Sequence, residues 1–128
     1  MARGEHDVDE RAGTALEREL AQWGSQRAER LRMADQLHVA RPIDHNIVFP
    51  TGHQARRAAT ALREGGFSVV SHRSTAPSRS SFRERDLTAT RADAMDDESI
   101  RAVLALVVGI AVETGGDYDG FGAPVVTA

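Results

Sequence analysis

The chain has 128 residues, enough for one small domain with an additional segment, and no cysteine, which excludes disulfide frameworks, thiolate metal sites and cysteine nucleophiles. The formal net charge is −3, all 16 basic residues are arginines, and from residue 92 onward Asp93, Asp96, Asp97, Glu98, Glu113, Asp117 and Asp119 face Arg101 alone. An end that acidic does not suit a phosphate backbone, because nucleic-acid binding draws most of its affinity from cationic contacts.

In chain order, the start "MARGEHDVDERAG" lacks the apolar stretch of a signal peptide. Residues 8–34 read as helix, with Leu16, Leu20 and Trp23 on one stripe and Leu31 extending it after a break at Gly24-Ser25. A stripe that thin must dock on something. Pro42 marks a boundary. "IDHNIVFP", 43–50, has the β-branched bias of a strand ended by Pro50. Thr51 and Gln54 then form a capping-box pattern ahead of a helix carrying Ala55, Ala58, Ala59 and Leu62, which Gly65 and Gly66 stop.

"FSVVSH", 67–72, is the second strand, and the Ser- and Arg-rich 73–85 stretch is a hairpin loop. "RDLTATRA", 85–92, is a third strand, followed by acidic capping residues in "DAMDDES". The next helix places Ile100, Val103, Leu104, Val107 and Ala111 on one face, with Leu106, Val108 and Ile110 off it. Something must cover that second apolar face, either the N-terminal helix or a second subunit. Gly115 and Gly116 end the helix, and 118–126 is the last strand. The run "VLALVVGIAV" at 103–112 is too short to span a bilayer, so the chain is expected to be soluble and cytoplasmic.

The order is thus an N-terminal helix followed by β-α-β-β-α-β, with "ALREGGF" and "AVETGGDY" at matching places in two half-units. Two such halves interleave into an α+β, ferredoxin-like fold: a four-stranded antiparallel sheet, first and third strands central, both helices on one face. The expected division is a helical extension over 1–36 and the α+β domain over 37–128. With that order, the closing run Gly115, Gly116, Asp117, Tyr118, Asp119, Gly120, Phe121 resembles the RraB family, regulators of ribonuclease E activity. "IDHNIVF", "LREGGF" and "LTATRADAM" add to the likeness, which spans about residues 35–126. Phe121 stands where a tryptophan is often found. The resemblance implies a non-enzymatic protein that binds a ribonuclease E/G-type endoribonuclease or its scaffold and lowers RNA cleavage, with no cofactor.

The residues allow narrower statements. Gly65, Gly66, Gly115, Gly116 and Gly120 suit turns and helix ends, and Tyr118 would set its ring on the core. Asp93, Asp96, Asp97 and Glu98 suit helix capping, and with Asp117, Tyr118, Asp119 and Phe121 they form the candidate partner-binding set, since acidic and aromatic side chains suit contact with a basic protein. His38, His45, His53 and His72 lack metal-site spacing, so no metal is expected, and His45 is expected to make a backbone contact. No nucleophile elbow is present, so no catalytic residues are assigned. The third strand carries no aromatic to stack a base, which disfavours direct RNA binding. A self-associating module, such as a homodimer, is the alternative role.

Overall fold

The structure, a computed structural model, describes residues 2–73 and 84–128. Helix α1 (Ala2–Arg32) leads into strand β1 (Arg41–Phe49), helix α2 (Gly52–Glu64), strands β2 (Ser68–Arg73) and β3 (Arg85–Asp93), helix α3 (Asp97–Thr114) and strand β4 (Asp117–Gly122). The fold is α+β: a four-stranded antiparallel sheet in the order β2-β3-β1-β4. β1 and β3 are therefore central and β2 and β4 are the edges. β2 and β3 pair with Arg73 opposite Arg85, while the loop expected between them falls largely on 74–83, outside the described residues.

Alternation along β1 explains the layering. Arg41, Ile43, His45, Ile47 and Phe49 are buried, whereas Pro42, Asp44 and Asn46 are exposed. The odd-numbered side packs against α2 through Ala55, Ala58 and Leu62 and against α3 through Ile100, Leu104 and Val107. α2 begins at the expected cap, where the Gln54 amide donates to Thr51 Oγ1 at 3.3 Å. The reciprocal half differs: Thr51 Oγ1 donates to Gln54 Oε1 at 2.9 Å, so the two side chains satisfy each other.

On the second apolar face of α3, which packs with α1, Val108 is buried and Ile110 partly so, while Leu106 stays 38% exposed. Leu16 and Leu20 pack on the core, and Trp23 is only 4% exposed. Trp23 Nε1 donates to Asp97 Oδ1 at 3.1 Å, and the Arg27 guanidinium lies 3.2 Å from the same oxygen, tying α1 to the first turn of α3. α1 is continuous through Gly24 and Ser25, so the expected break is absent. Leu31 does not extend the stripe either: it is 50% exposed, and Arg30 takes the inward position. Spacing accounts for this, since 16, 20, 23, 27 and 30 alternate steps of four and three along one helix face.

Arg30 turns inward because a carboxylate awaits it. Asp35, its side chain fully buried, accepts from Arg30 Nη1 at 2.9 Å and from Arg41 Nη1 at 2.7 and 2.9 Å. The amide of Val126 donates to Asp35 Oδ1 at 3.2 Å, and the amide of Gln36 donates to the Val126 carbonyl at 2.8 Å. Arg30 and Arg41 also donate to the carbonyls of Ala123 and Pro124. The last strand accordingly ends at Gly122, four residues short of the expected 126. Pro124 has no N–H to give a ladder, and the arginines claim the carbonyls. Pro42 is likewise no boundary but the second residue of β1. The β4 ladder starts only at Asp44, so Pro42 lies beyond it.

α1 ends in a Schellman pattern, with the Asp35 amide donating to the Arg30 carbonyl and the Ala34 amide to that of Leu31. Its left-handed residue is Ala34, at φ 60, where a Cβ is strained. Ala34→Gly relieves that strain against a smaller gain in unfolded-chain entropy, so stability should rise by about 0.5–1 kcal/mol, read as a melting temperature roughly 2–4 °C higher. An unchanged or lower melting temperature would show that Ala34 carries no strain.

Candidate partner-binding surface

The closing motif begins where α3 stops. Gly115 takes the left-handed conformation at φ 84, and the Gly116 amide donates to the Ala111 carbonyl at 2.8 Å. Gly116 is required for a different reason: a Cβ there would stand 2.4 Å from the Phe49 ring. Its bare backbone lets β4 lie directly against the buried end of β1. The β1–β4 register then shifts, with Ile47 opposite Tyr118 and His45 opposite Phe121. One extra residue is thus taken up on β4, beside Gly120 at φ 96. The bulge sends both aromatic rings to the helix side of the sheet.

Tyr118 is partly buried, as expected, and its hydroxyl lies 2.8 Å from His45 Nδ1. Phe121 packs between Trp23 and His45, with ring centroids 6.1 and 5.9 Å away. His45 therefore does not make the backbone contact expected of it. It is fully buried, edge-on to Phe67, and its Nε2 has no hydrogen-bond partner among the described residues. Burial pushes its pKa from 6.5 down to about 4; Asp93 and Asp44 pull upward and Arg91 downward. His45 is neutral at pH 7. Burial also drives the Tyr118 hydroxyl upward, helped by Glu19 nearby. Glu19, a buried carboxyl on α1, is raised chiefly by desolvation, partly offset by Arg18 and reinforced by Asp119. Tyr118 and His45 thus form a neutral pair inside the molecule.

The acidic candidates divide. Asp93 binds Arg91 through two hydrogen bonds of 2.9 and 3.0 Å. Asp96 caps α3, accepting from the Ser99 amide at 3.2 Å and its hydroxyl at 2.7 Å, which holds its carboxyl below the usual range. Asp97 holds Trp23 and Arg27. Glu98, Asp117 and Asp119 are exposed, and so is Asp97 despite its two partners. Trp23 links the two stretches, touching Asp97 at the start of α3 and Phe121 near the end of β4. Asp117 lies at the other end of α3, roughly 27 Å away along an 18-residue helix.

The sheet sorts charge by strand parity. Arg41, Arg73, Arg85 and Arg91 all fall on the helix side by register. The opposite side of the central strands carries Asp44, Asn46 and Val48 on β1 and Asp86, Thr88 and Thr90 on β3, with no aromatic ring and no arginine. Thr90 Oγ1 donates to Asp44 Oδ1 at 2.6 Å, and Thr88 pairs with Asn46 at 3.2 Å. Among the described residues, no group of three or more His, Asp or Glu side chains is placed to hold a metal ion. No helix there is long and apolar enough to cross a membrane.

Sequence reasoning missed Arg30, Asp35, Arg41 and Glu19, all buried. The a/d-like spacing that reaches residue 30 was the only available signal for the first of these.

The family described as RraB, Regulator of ribonuclease activity B, matches residues 26–123. That span starts within α1 four residues before Arg30, covers Arg30, Asp35, Arg41 and all four strands, and ends one residue beyond β4, short of Pro124 and Val126. No curated protein matches the chain.

Two measurements test this geometry. Gly116→Ala must displace the Phe49 ring and should cost about 1–3 kcal/mol, whereas Gly122→Ala, with nothing within 4 Å of the added carbon, should change stability by less than about 0.5 kcal/mol. Equal effects in urea unfolding would remove the close-approach argument. Between pH 6.5 and 4 the unfolded chain binds a proton at His45 that the folded chain refuses, so this group lowers stability as the pH falls. Wild type should lose about 3 kcal/mol more than His45→Gln across that window. The comparison cancels Glu19, whose raised pKa acts in the opposite direction. Parallel pH profiles for the two proteins would exclude a buried neutral imidazole.

Proposed function

The chain belongs to the RraB family, and on that premise we propose that it has no catalysis of its own and regulates RNA decay by binding a ribonuclease E-type endoribonuclease or that enzyme's scaffold. The family match over residues 26–123 carries this reading. The sheet order β2-β3-β1-β4, with α2 and α3 on one face, supports taking the domain as ferredoxin-like. Binding is read onto the acidic surface because opposite charge speeds encounter with a basic partner and fixes its orientation. Within the candidate set, Asp97, Glu98, Asp117 and Asp119 are the exposed acidic side chains a partner would meet. Asp93 and Asp96 act indirectly, by fixing Arg91 and the α3 terminus, and Asp97 holds Trp23 while its side chain stays exposed. The cytoplasm is the setting this role requires.

The test uses the purified endoribonuclease with its scaffold region attached. The immobilised chain should retain it, and RNA cleavage should slow as chain is added. Reversing two exposed charges, Glu98→Arg with Asp119→Arg, should weaken retention about tenfold while leaving the circular dichroism spectrum unchanged, since neither residue lies in the core. An enzyme that is neither retained nor slowed at micromolar concentrations would overturn the proposal.

A further inference from the structure

We propose that the open face of the sheet is a docking surface for an extended, arginine-bearing segment of a protein partner. It rests on the reading above that the chain acts by binding a protein. The strand registers lay this face out in three rows. Asp117, Val48, Asp86 and His72 run across one end; Asn46, Thr88 and Val70 cross the middle; Gly122, Asp44, Thr90 and Ser68 cross the other end. Among the described residues, three carboxylates stand in these rows, and His72 is the only basic side chain. In a chain with 16 arginines, that is a strong sorting of charge.

The chemistry of the face selects a guanidinium over the alternatives. Asp44 has one oxygen engaged by Thr90, which leaves the second to accept. The Asp86 side chain is 22% exposed: its Oδ1 is enclosed, with no hydrogen-bond partner among the described residues, and its Oδ2, 3.7 Å from His72 Nε2, is the oxygen left for a donor to approach. A planar cation with several N–H donors suits the second oxygen of Asp44 and the outer oxygen of Asp86. Val70, 63% exposed, together with the methyl groups of Thr88 and Thr90, offers apolar ground for an arginine's aliphatic stem. The spacing fits as well. Asp44 and Asp86 project from sites four positions apart along paired strands, roughly 13 Å, the separation of residues i and i+4 on one side of an extended peptide. RNA is the poorer occupant, since among the described residues the face has no ring to stack a base and its carboxylates repel phosphate. A second copy is also poorer, because the same acidic rows would face each other.

The probe is a nine-residue peptide with arginine at its first, fifth and ninth positions and serine between, added to the isotope-labelled full chain at low salt. The controls are the glutamate version and a nine-nucleotide single-stranded RNA. Amide resonances of Asn46, Val70 and Thr88 should shift with the arginine peptide alone. Val70→Arg, at an exposed position that leaves the core intact, should weaken binding at least tenfold, and so should Asp44→Asn combined with Asp86→Asn. Glu113→Arg on α3 should leave it unchanged. The proposal is overturned if the shifts fall on α1 or α3, if the variants bind like wild type, if RNA shifts the same residues, or if those resonances move with chain concentration alone. Should the ribonuclease bind the face variants as well as wild type, the docking surface is wrong and the regulatory role stands. Should the peptide bind the face while the ribonuclease is not retained, the reverse holds.

Discussion

One buried carboxylate, Asp35, joins three parts of the chain that are far apart in sequence: the end of α1, the start of β1 and the residues after β4. Desolvation alone would raise its pKa, but hydrogen bonds from Arg41, Arg30 and the Val126 amide outweigh that penalty, and the carboxyl stays below its ordinary range. Such a cluster adds little net stability over an apolar equivalent, whereas loss of one member leaves an uncompensated buried charge at a cost of about 3–5 kcal/mol. What it contributes is placement. Arg41 is the first residue of a central strand, so fixing it relative to Arg30 sets where α1 crosses the domain. The same contacts hold Ala123 to Val126 and thereby fix the far end of β4.

With α1 so placed, Trp23 is brought over α3, and this settles what becomes of the acidic run 93–98. These residues look alike in sequence, yet Asp96 is needed by the backbone of α3 and Asp97 by the indole N–H. Asp93 is needed by Arg91, whose guanidinium also lies 4.5 Å over the Phe67 ring. Three of these four acidic side chains are thus engaged by groups of the same molecule, although Asp97 stays exposed. Glu98 faces solvent too, and other stretches add Asp44, Asp117 and Asp119, with Asp86 partly exposed on the outward side of β3.

Local signals were legible. The Thr51–Gln54 cap, the apolar stripe of α3, the Asp96 cap and the element order follow from spacing and turn chemistry within a few residues. The outcomes that were not legible depend on distant partners. Nothing near Arg30 or Arg41 announces that Asp35 will draw both inward, because an arginine read alone belongs on the surface. Pro42 reads as a break until the β4 ladder proves too short to reach it. His45 sits beside Asp44 and reads as polar, although strand alternation already placed it with Ile43 and Ile47 on the buried side. The matching Gly-Gly pairs also differ in use: the positive φ falls on the second glycine, Gly66, in one half and on the first, Gly115, in the other.

Parity in the strands has a wider electrostatic consequence. The arginines of 56–91 and the acids after 92 suggest a molecule polarised along its sequence, but the sheet divides charge across its thickness. Arg41, Arg73, Arg85 and Arg91 lie on the helix side, and Asp44 and Asp86 on the other. A one-residue slip of β3 against β1 would expose Arg85 and Arg91 on the open face and bury Asp86, while moving Leu87 and Ala89 out of the core. Apolar packing therefore enforces the charge pattern: the same register that buries Leu87 sets an anionic field over the uncovered face. A field of that sign accelerates approach of cationic protein segments and slows that of nucleic acid. A regulator of an RNA-cleaving enzyme gains from that bias, because it can engage the enzyme without competing for the enzyme's own substrate.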